Sequence, residues 1–191
     1  RKTLQTHEKV RKGFWPKLTG FLLQNKTVGI IGFGNIGKEI SKLVTKLGMK
    51  VLFYDIKKKI NFNKKSKKIK KSTLKNLLKK SDVVIISCNL NKSSFNLINH
   101  SKINLMKKSA GIINISRGNI IKENDLIKNL NRKRISFAAL DVFESEPLKK
   151  KSDMFKIDNC ILSSHNAFNT IEEVEKVNIN TLKNLYKGLR I

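Results

Sequence analysis

An α/β fold, a doubly wound parallel sheet between two layers of helices, is the architecture this sequence predicts, and three observations predict it. Short apolar runs recur along the chain, at Thr27 to Ile31, Val51 to Tyr54, Asp82 to Cys88, Ala110 to Ile115, Ile135 to Leu140 and Cys160 to Leu162, with helix-periodic segments between them. The runs are apolar on both faces, as in the strands of a parallel sheet covered on both sides. The third observation is Val28-Gly-Ile-Ile-Gly-Phe-Gly-Asn-Ile-Gly37, an apolar run that breaks into glycines spaced GxGxxG and continues as a helix. Together these describe a Rossmann-type, three-layer α/β/α domain spanning 1–191.

The elements follow in order. Leu4 to Val10 is helix-compatible, and Gly13 and Pro16 break it, so residues 1–26 read as an opening helix and a loop. That loop carries Phe14 and Trp15, aromatics that either seal a core edge or anchor a subunit interface; taken alone, a lone Trp favours the core. Strand Thr27 to Ile31 leads into a helix in which Ile36, Ile40, Leu43, Val44 and Leu47 recur at helical spacing. Strand Val51 to Tyr54 follows, then a lysine-rich stretch, Lys57 to Lys71, with a short strand near Ile69. Ser72 to Lys80 is a short helix with Leu74, Leu77 and Leu78 inward. Ser101 to Lys107 gives a helical turn and Glu123 to Asn131 a helix. Residues 170–191 form a last helix with Val174, Val177, Leu182 and Leu185 inward.

Each glycine of the motif has its own physical role. Gly32 permits a positive φ at the turn, Gly34 removes the side chain that would bar a pyrophosphate, and Gly37 lets helix and strand pack closely. Unpaired amides at the helix start face the phosphates. Asp55 ends the second strand about 20 residues beyond the turn, where an acid accepts from a ribose 2′-hydroxyl. A lysine just past Asp55 could instead hold a 2′-phosphate, but the Asp55 charge repels one, so NAD is favoured over NADP.

Composition narrows the class. At 39% hydrophobic, 191 residues carry a sizeable core. No apolar run reaches the roughly 20 residues of a membrane span, and no signal peptide opens the chain, so a cytoplasmic protein without membrane contact is expected. Cys88 and Cys160 read as small buried hydrophobes, and no metal-ligand spacing occurs. A net charge of +27 invites a nucleic-acid reading. Yet arginine occurs only at Arg1, Arg11, Arg117, Arg132, Arg134 and Arg190, while Lys, Asn and Ile are used everywhere. That joint excess matches A+T-biased codon usage, which makes nucleic acid the weaker reading. The basic field still attracts anionic substrates and cofactors.

Ligands of open parallel sheets sit beyond the carboxyl ends of the strands. The residues there are Ser116, Arg117 and Gly118 after one strand, Asp141 after the next, Glu144 and Glu146 in the following loop, and Ser163-Ser-His-Asn166 after the last. One Arg, several carboxylates and one His therefore converge on one edge beside a nucleotide turn. Taken singly, Arg117 could be a surface cation, Asp141 a turn cap, Glu146 a solvated acid and His165 a loop imidazole.

These segments, with Arg11-Lys-Gly-Phe-Trp15, Leu105-Met-Lys107, Ile113-Asn-Ile-Ser-Arg-Gly118 and Leu140-Asp-Val-Phe-Glu-Ser-Glu-Pro147, stand in the order and spacing of one family. Nearly the whole chain resembles the nucleotide-binding domain of the D-isomer-specific 2-hydroxyacid dehydrogenases. The resemblance implies hydride transfer between NAD and a D-2-hydroxy or 2-keto acid. It implies that Arg117 grips the substrate carboxylate and keto oxygen, and that His165 is the general acid and base. Glu146 would fix the imidazole tautomer and favour its charged form. Gly32, Gly34, Asn35, Ile36 and Gly37 would hold the pyrophosphate, and Asp55 the ribose. Ser87, Cys88, Asn89, Ile115, Ser116, Asp141 and Ala167, with Arg117 and His165, would line the nicotinamide half. It also implies a homodimer through this domain, which returns Phe14, Trp15 and the opening helix to the interface alternative.

Four features depart from the family pattern. Asn89 stands at a usual Pro and Asn25 at a usual Gly. His165-Asn-Ala-Phe-Asn-Thr170 replaces a Gly-rich turn, with Phe168 bulky where a backbone approaches the cofactor. The chain also opens at Arg1, without the substrate domain that members carry ahead of the opening helix. The expectation is a cofactor domain that binds NAD, supplies one wall of the cleft and turns over poorly alone. The alternative is a dinucleotide-sensing or dimerisation module without turnover.

Overall fold

The computed structural model describes residues 2–57, 59–62 and 66–189. In chain order they form α1 (Thr3–Arg11), β1 (Thr27–Ile31), α2 (Asn35–Lys46), β2 (Lys50–Tyr54), β3 (Ile69–Lys71), α3 (Leu74–Lys80), β4 (Val83–Ile86), α4 (His100–Ile103), β5 (Gly111–Asn114), α5 (Glu123–Asn131), β6 (Phe137–Leu140), β7 (Cys160–Leu162) and α6 (Ile171–Leu189). The strands make one sheet in the order β3-β2-β1-β4-β5-β6-β7, and every pairing is parallel. The chain winds outward from β1 to β3, returns to the other side of β1 with β4, and winds outward again. The strand order reverses between β1 and β4, which opens a crevice at their carboxyl ends.

Because successive side chains point to opposite faces of a strand, the sheet has two cores. Val28 and Ile30 of β1, Val83 and Ile85 of β4 and Phe53 of β2 belong to one, with Ile40 and Val44 of α2 packed against it. Ile31, Val84, Ile86 and Ile112 belong to the other, with Leu77 and Leu78 of α3, Ile103 of α4 and Leu126 of α5. At the amino edge Asp82 fastens the sheet: Oδ2 accepts from the Thr27 amide at 2.8 Å and Oδ1 from Lys107 Nζ at 2.9 Å. Burial pushes its pKa up, but Lys107, the Thr27 amide and the Lys26 charge outweigh that, and it lies below the ordinary value.

Helical spacing left open which face of α2 is buried, and two expectations, for α6 and for the Phe14–Trp15 loop, need correction. In α2 the buried residues are Gly37 and Ser41, with Ile40 and Val44 half-buried, whereas Ile36, Leu43 and Leu47 are exposed. The helix rests on the sheet through the Gly37, Ile40, Ser41 and Val44 stripe, and Ile36, Leu43 and Leu47 form a second stripe turned away. No residue of α6 is buried, so Val174, Val177, Leu182 and Leu185 do not pack inward within this chain. Phe14 is 63% and Trp15 83% exposed, which removes the core reading for both. Asn25, at the usual glycine, has φ 65°, a left-handed conformation that asparagine tolerates. Lys58, Lys64 and Lys65 of the lysine-rich stretch lie outside the described residues. Cys88 and Cys160 are free and half-buried against the core, and burial raises both thiols, Cys160 to about 12.

Candidate active site

The cofactor end is built where β1 turns into α2. Gly32 has φ 91°, and a Cβ there would stand 2.5 Å from the Cys88 backbone, so this turn is open to glycine alone. A Cβ on Gly37 would fall 2.2 Å from the Gly32 carbonyl oxygen, whereas one on Gly34 would meet nothing within 4 Å. The middle glycine thus faces open space at the start of α2, whose first amides have no side-chain cap. That vacancy, with unpaired amides behind it, suits a pyrophosphate.

Asp55 closes the turn. Its Oδ2 accepts from the Phe33 amide at 2.8 Å and its Oδ1 from the Lys57 amide at 2.9 Å. Each oxygen keeps a second lone pair for a ribose hydroxyl. Two hydroxyls stitch the neighbouring loops to the turn: Ser87 Oγ donates to the Gly32 carbonyl at 2.8 Å, and Ser116 Oγ donates to the Cys88 carbonyl. A cleft of about 450 Å³ runs along these elements, lined by Gly32, Gly34, Asn35, Asp55, Ser87, Cys88 and Asn89, with Lys38, Lys57 and Lys59 also on its walls. Ile36, exposed on α2, and Ile115 are not among its lining residues.

The chemical end lies outside that cleft, on the loops after β5, β6 and β7. Buried Asn114 braces the first, its Nδ2 donating to the Arg117 carbonyl at 3.0 Å and its Oδ1 accepting from the Ser116 amide at 3.1 Å. This holds the turn that presents the exposed Arg117. The second loop folds back so that Glu146 Oε1 accepts from the Phe143 amide at 2.9 Å, which leaves Oε2 for His165 Nδ1 at 2.7 Å. Burial raises the Glu146 pKa, but the Phe143 amide, His165 and the Arg117 charge together hold it below the ordinary value. An ionised carboxylate only accepts, so the proton between the two groups resides on Nδ1, and Nε2 remains to exchange protons elsewhere.

His165 itself has φ 56°, and its amide donates to the Asp141 carbonyl at 2.8 Å. The Asp141 carboxylate takes the next two amides, Asn166 to Oδ1 at 2.9 Å and Ala167 to Oδ2 at 3.0 Å. Burial opposes its charge, but these amides, the Ser163 side chain and His165 lower its pKa below the ordinary value. Asp141 is therefore the cap that shapes the histidine loop, the structural alternative weighed from sequence. Phe168 stands edge-on to the imidazole, ring centres 6.1 Å apart.

The predicted residues fall into two groups that share the carboxyl edge of the sheet: Gly32, Gly34, Gly37, Asp55, Ser87, Cys88 and Asn89 at one end, Arg117, Asp141, Glu146, His165 and Ala167 at the other. Ser116 links them. Sequence reasoning missed Asn114, whose one signal is a polar residue inside an apolar strand. It also missed Glu123, considered below.

Residues 1–167 match the model of a family described as D-isomer specific 2-hydroxyacid dehydrogenase, NAD binding domain. The glyoxylate reductase of Thermofilum pendens is 35% identical over an alignment of 196 residues that covers 100% of this chain and 58% of that protein. Among solved structures, an acyclic imino acid reductase (Bsp5) in complex with NADPH and D-Arg superposes with a TM-score of 0.88 at 30% identity, covering 100% of this chain and 60% of that one. The NAD-complexed D-isomer specific 2-hydroxyacid dehydrogenase of Lactobacillus delbrueckii ssp. bulgaricus gives 0.81 at 26% identity, covering 98% and 62%. The chain thus spans less than two thirds of the length of these relatives.

Proposed function

The chain belongs to the D-isomer specific 2-hydroxyacid dehydrogenase family, as its NAD-binding domain, and from that premise we propose that it serves an oxidoreductase acting on a D-2-hydroxy acid or the corresponding 2-keto acid. The observation that carries the proposal is the 2.7 Å His165–Glu146 pair with the Arg117 charge acting on the same carboxylate. An acid–base imidazole and a guanidinium on loops of the same sheet edge are the equipment needed to polarise and protonate a keto oxygen next to a carboxylate.

When bound, the nicotinamide supplies or takes the hydride. Glu146 holds the His165 tautomer, so that Nε2 gives its proton to the carbonyl oxygen in reduction and takes it back from the alcohol in oxidation. Arg117 pairs with the substrate carboxylate and steadies the charge growing on the carbonyl oxygen. The Gly34 gap and the α2 amides hold the pyrophosphate, and Asp55 accepts from the adenosine ribose, which favours NAD over NADP. The substrate is held between this domain and a second wall contributed by the rest of a whole enzyme. Accordingly the 191 residues bind NAD but reduce 2-keto acids poorly alone. The exposed Trp15, Phe14 and α2 stripe support a homodimer through this domain.

Oxidation of NADH by the full-length protein, measured against a panel of 2-keto acids, tests the reading. We expect His165→Ala to lower kcat by about 100-fold or more. Unchanged turnover in that variant would sink the mechanism and leave dinucleotide sensing without turnover as the reading.

A further inference from the structure

The loop that carries Glu146 is joined to the start of α5 by two carboxylates that exchange places. Glu144 Oε1 accepts from the Glu123 amide at 2.7 Å, and Glu123 Oε2 accepts from the Glu144 amide at 3.1 Å. The first bond satisfies an amide at a helix start that has no side-chain cap of its own. The second returns the favour across 21 residues of sequence, as a capping box does within one turn.

Capping alone does not call for this arrangement. Ser, Thr or Asn caps a helix without charge, whereas here two like charges are held together, and burial and the Glu144 charge push Glu123 above its ordinary pKa against the pull of the Glu144 amide. What the pair secures is the peptide between Phe143 and Glu144. That peptide lies flat on Gly118, where a Cβ would stand 1.8 Å from the Phe143 carbonyl carbon and 2.4 Å from the Glu144 nitrogen. One residue before Gly118 is Arg117. The amide of Phe143 in turn holds Glu146 Oε1.

We propose that Glu123 and Glu144 are positioning residues, a reciprocal clamp that seats the Phe143–Glu144 peptide on Gly118 and so sets Arg117, Glu146 and His165 in one fixed relation. The proposal rests on the catalytic reading of those three residues for its purpose, but its geometry is testable without turnover. Glu144→Gln keeps an acceptor oxygen for the Glu123 amide, and Glu144→Ala removes it.

Long-range ¹⁵N–¹H correlation spectra of the histidine-labelled chain, with His165→Ala to identify the resonance, report the His165 tautomer. The expected result is the Nδ1–H form in the native chain and in Glu144→Gln, and loss of that preference in Glu144→Ala, with NAD affinity within twofold in all three. In the full-length enzyme the same alanine change is expected to lower kcat about tenfold or more with little change in KM, because small misplacement of reacting groups is costly, and glutamine to restore most of it. A native tautomer in Glu144→Ala, or equal loss in both variants, overturns the clamp. If Glu144→Ala does not fold, Glu123→Ala, which removes only the reciprocal bond, decides by the same spectrum. Unchanged turnover in His165→Ala would instead overturn the catalytic reading and leave the tautomer result standing.

Discussion

Replacing Gly34 by alanine separates cofactor binding from folding more cleanly than any other change in the turn. Gly34 has φ −75° and ψ −156°, a conformation any L-residue adopts, and its added methyl meets nothing within 4 Å. Alanine is a poorer N-cap than glycine by roughly 0.5–1 kcal/mol, while the stiffer unfolded chain returns about 0.4–1 kcal/mol. The two terms nearly cancel, and the unfolding temperature is expected to move by no more than a few degrees. The methyl does, however, occupy the gap in front of the α2 amides. Losing one amide-to-phosphate hydrogen bond, at about 1.5–3 kcal/mol for a bond to a charged group, weakens NAD by roughly 10- to 100-fold. Gly37→Ala is the contrast: its Cβ falls 2.2 Å from the Gly32 carbonyl, so stability and binding fail together. Calorimetric titration with NAD beside thermal unfolding measures both. Native NAD affinity in Gly34→Ala, or a loss of stability above about 2 kcal/mol, would refute the placement of the pyrophosphate.

Asp82→Asn keeps an acceptor for the Thr27 amide but loses the Lys107 pair; because Lys107 is 39% exposed and screened, the cost at neutral pH is about 1 kcal/mol. A carboxyl whose folded pKa is depressed stabilises above its unfolded value of about 3.9 and loses that contribution as pH falls through the folded value. The gap between native and variant stability should therefore be full at pH 7 and close as pH falls past the unfolded value and through the lower folded one, as chemical denaturation at several pH values would show. Trp15→Ser, at a side chain 83% exposed, is expected to leave thermal stability within about 0.5 kcal/mol while shifting sedimentation from dimer to monomer; an unchanged sedimentation coefficient would count against the interface.

The strands were legible because a strand buried on both faces must be apolar throughout, and Val83 to Ile86 or Gly111 to Asn114 can be little else. The GxGxxG turn was legible in its backbone reasons, the positive φ at Gly32 and the close packing at Gly37, with open space at Gly34. Helix faces were not: periodicity reveals that α6 has an apolar side, but what covers Val177 or Leu185 is a property of the surroundings rather than of the helix. The same limit explains Ile36, Leu43 and Leu47. That Arg117, Glu146 and His165 would lie on neighbouring loops could be anticipated because strand ends gather in one place. Glu123 could not, since it acts through a backbone amide 21 residues away and an amide leaves no mark in the alphabet of side chains; Asn114, which braces the amide two residues on and the carbonyl three residues on, left only the trace of a polar residue in an apolar strand.

The hydroxyl contacts from Ser87 to Gly32 and from Ser116 to Cys88 have a consequence for association. They tie the ends of β1, β4 and β5 together by hydrogen bonds within the chain, so the floor under the cofactor is braced by the protein itself. A dinucleotide arriving there gives up its own freedom, but it has little protein disorder to quench. Its affinity should consequently depend weakly on loop ordering, and Ser87→Ala or Ser116→Ala, which removes the tie, should show itself chiefly as faster release of NAD in stopped-flow measurements.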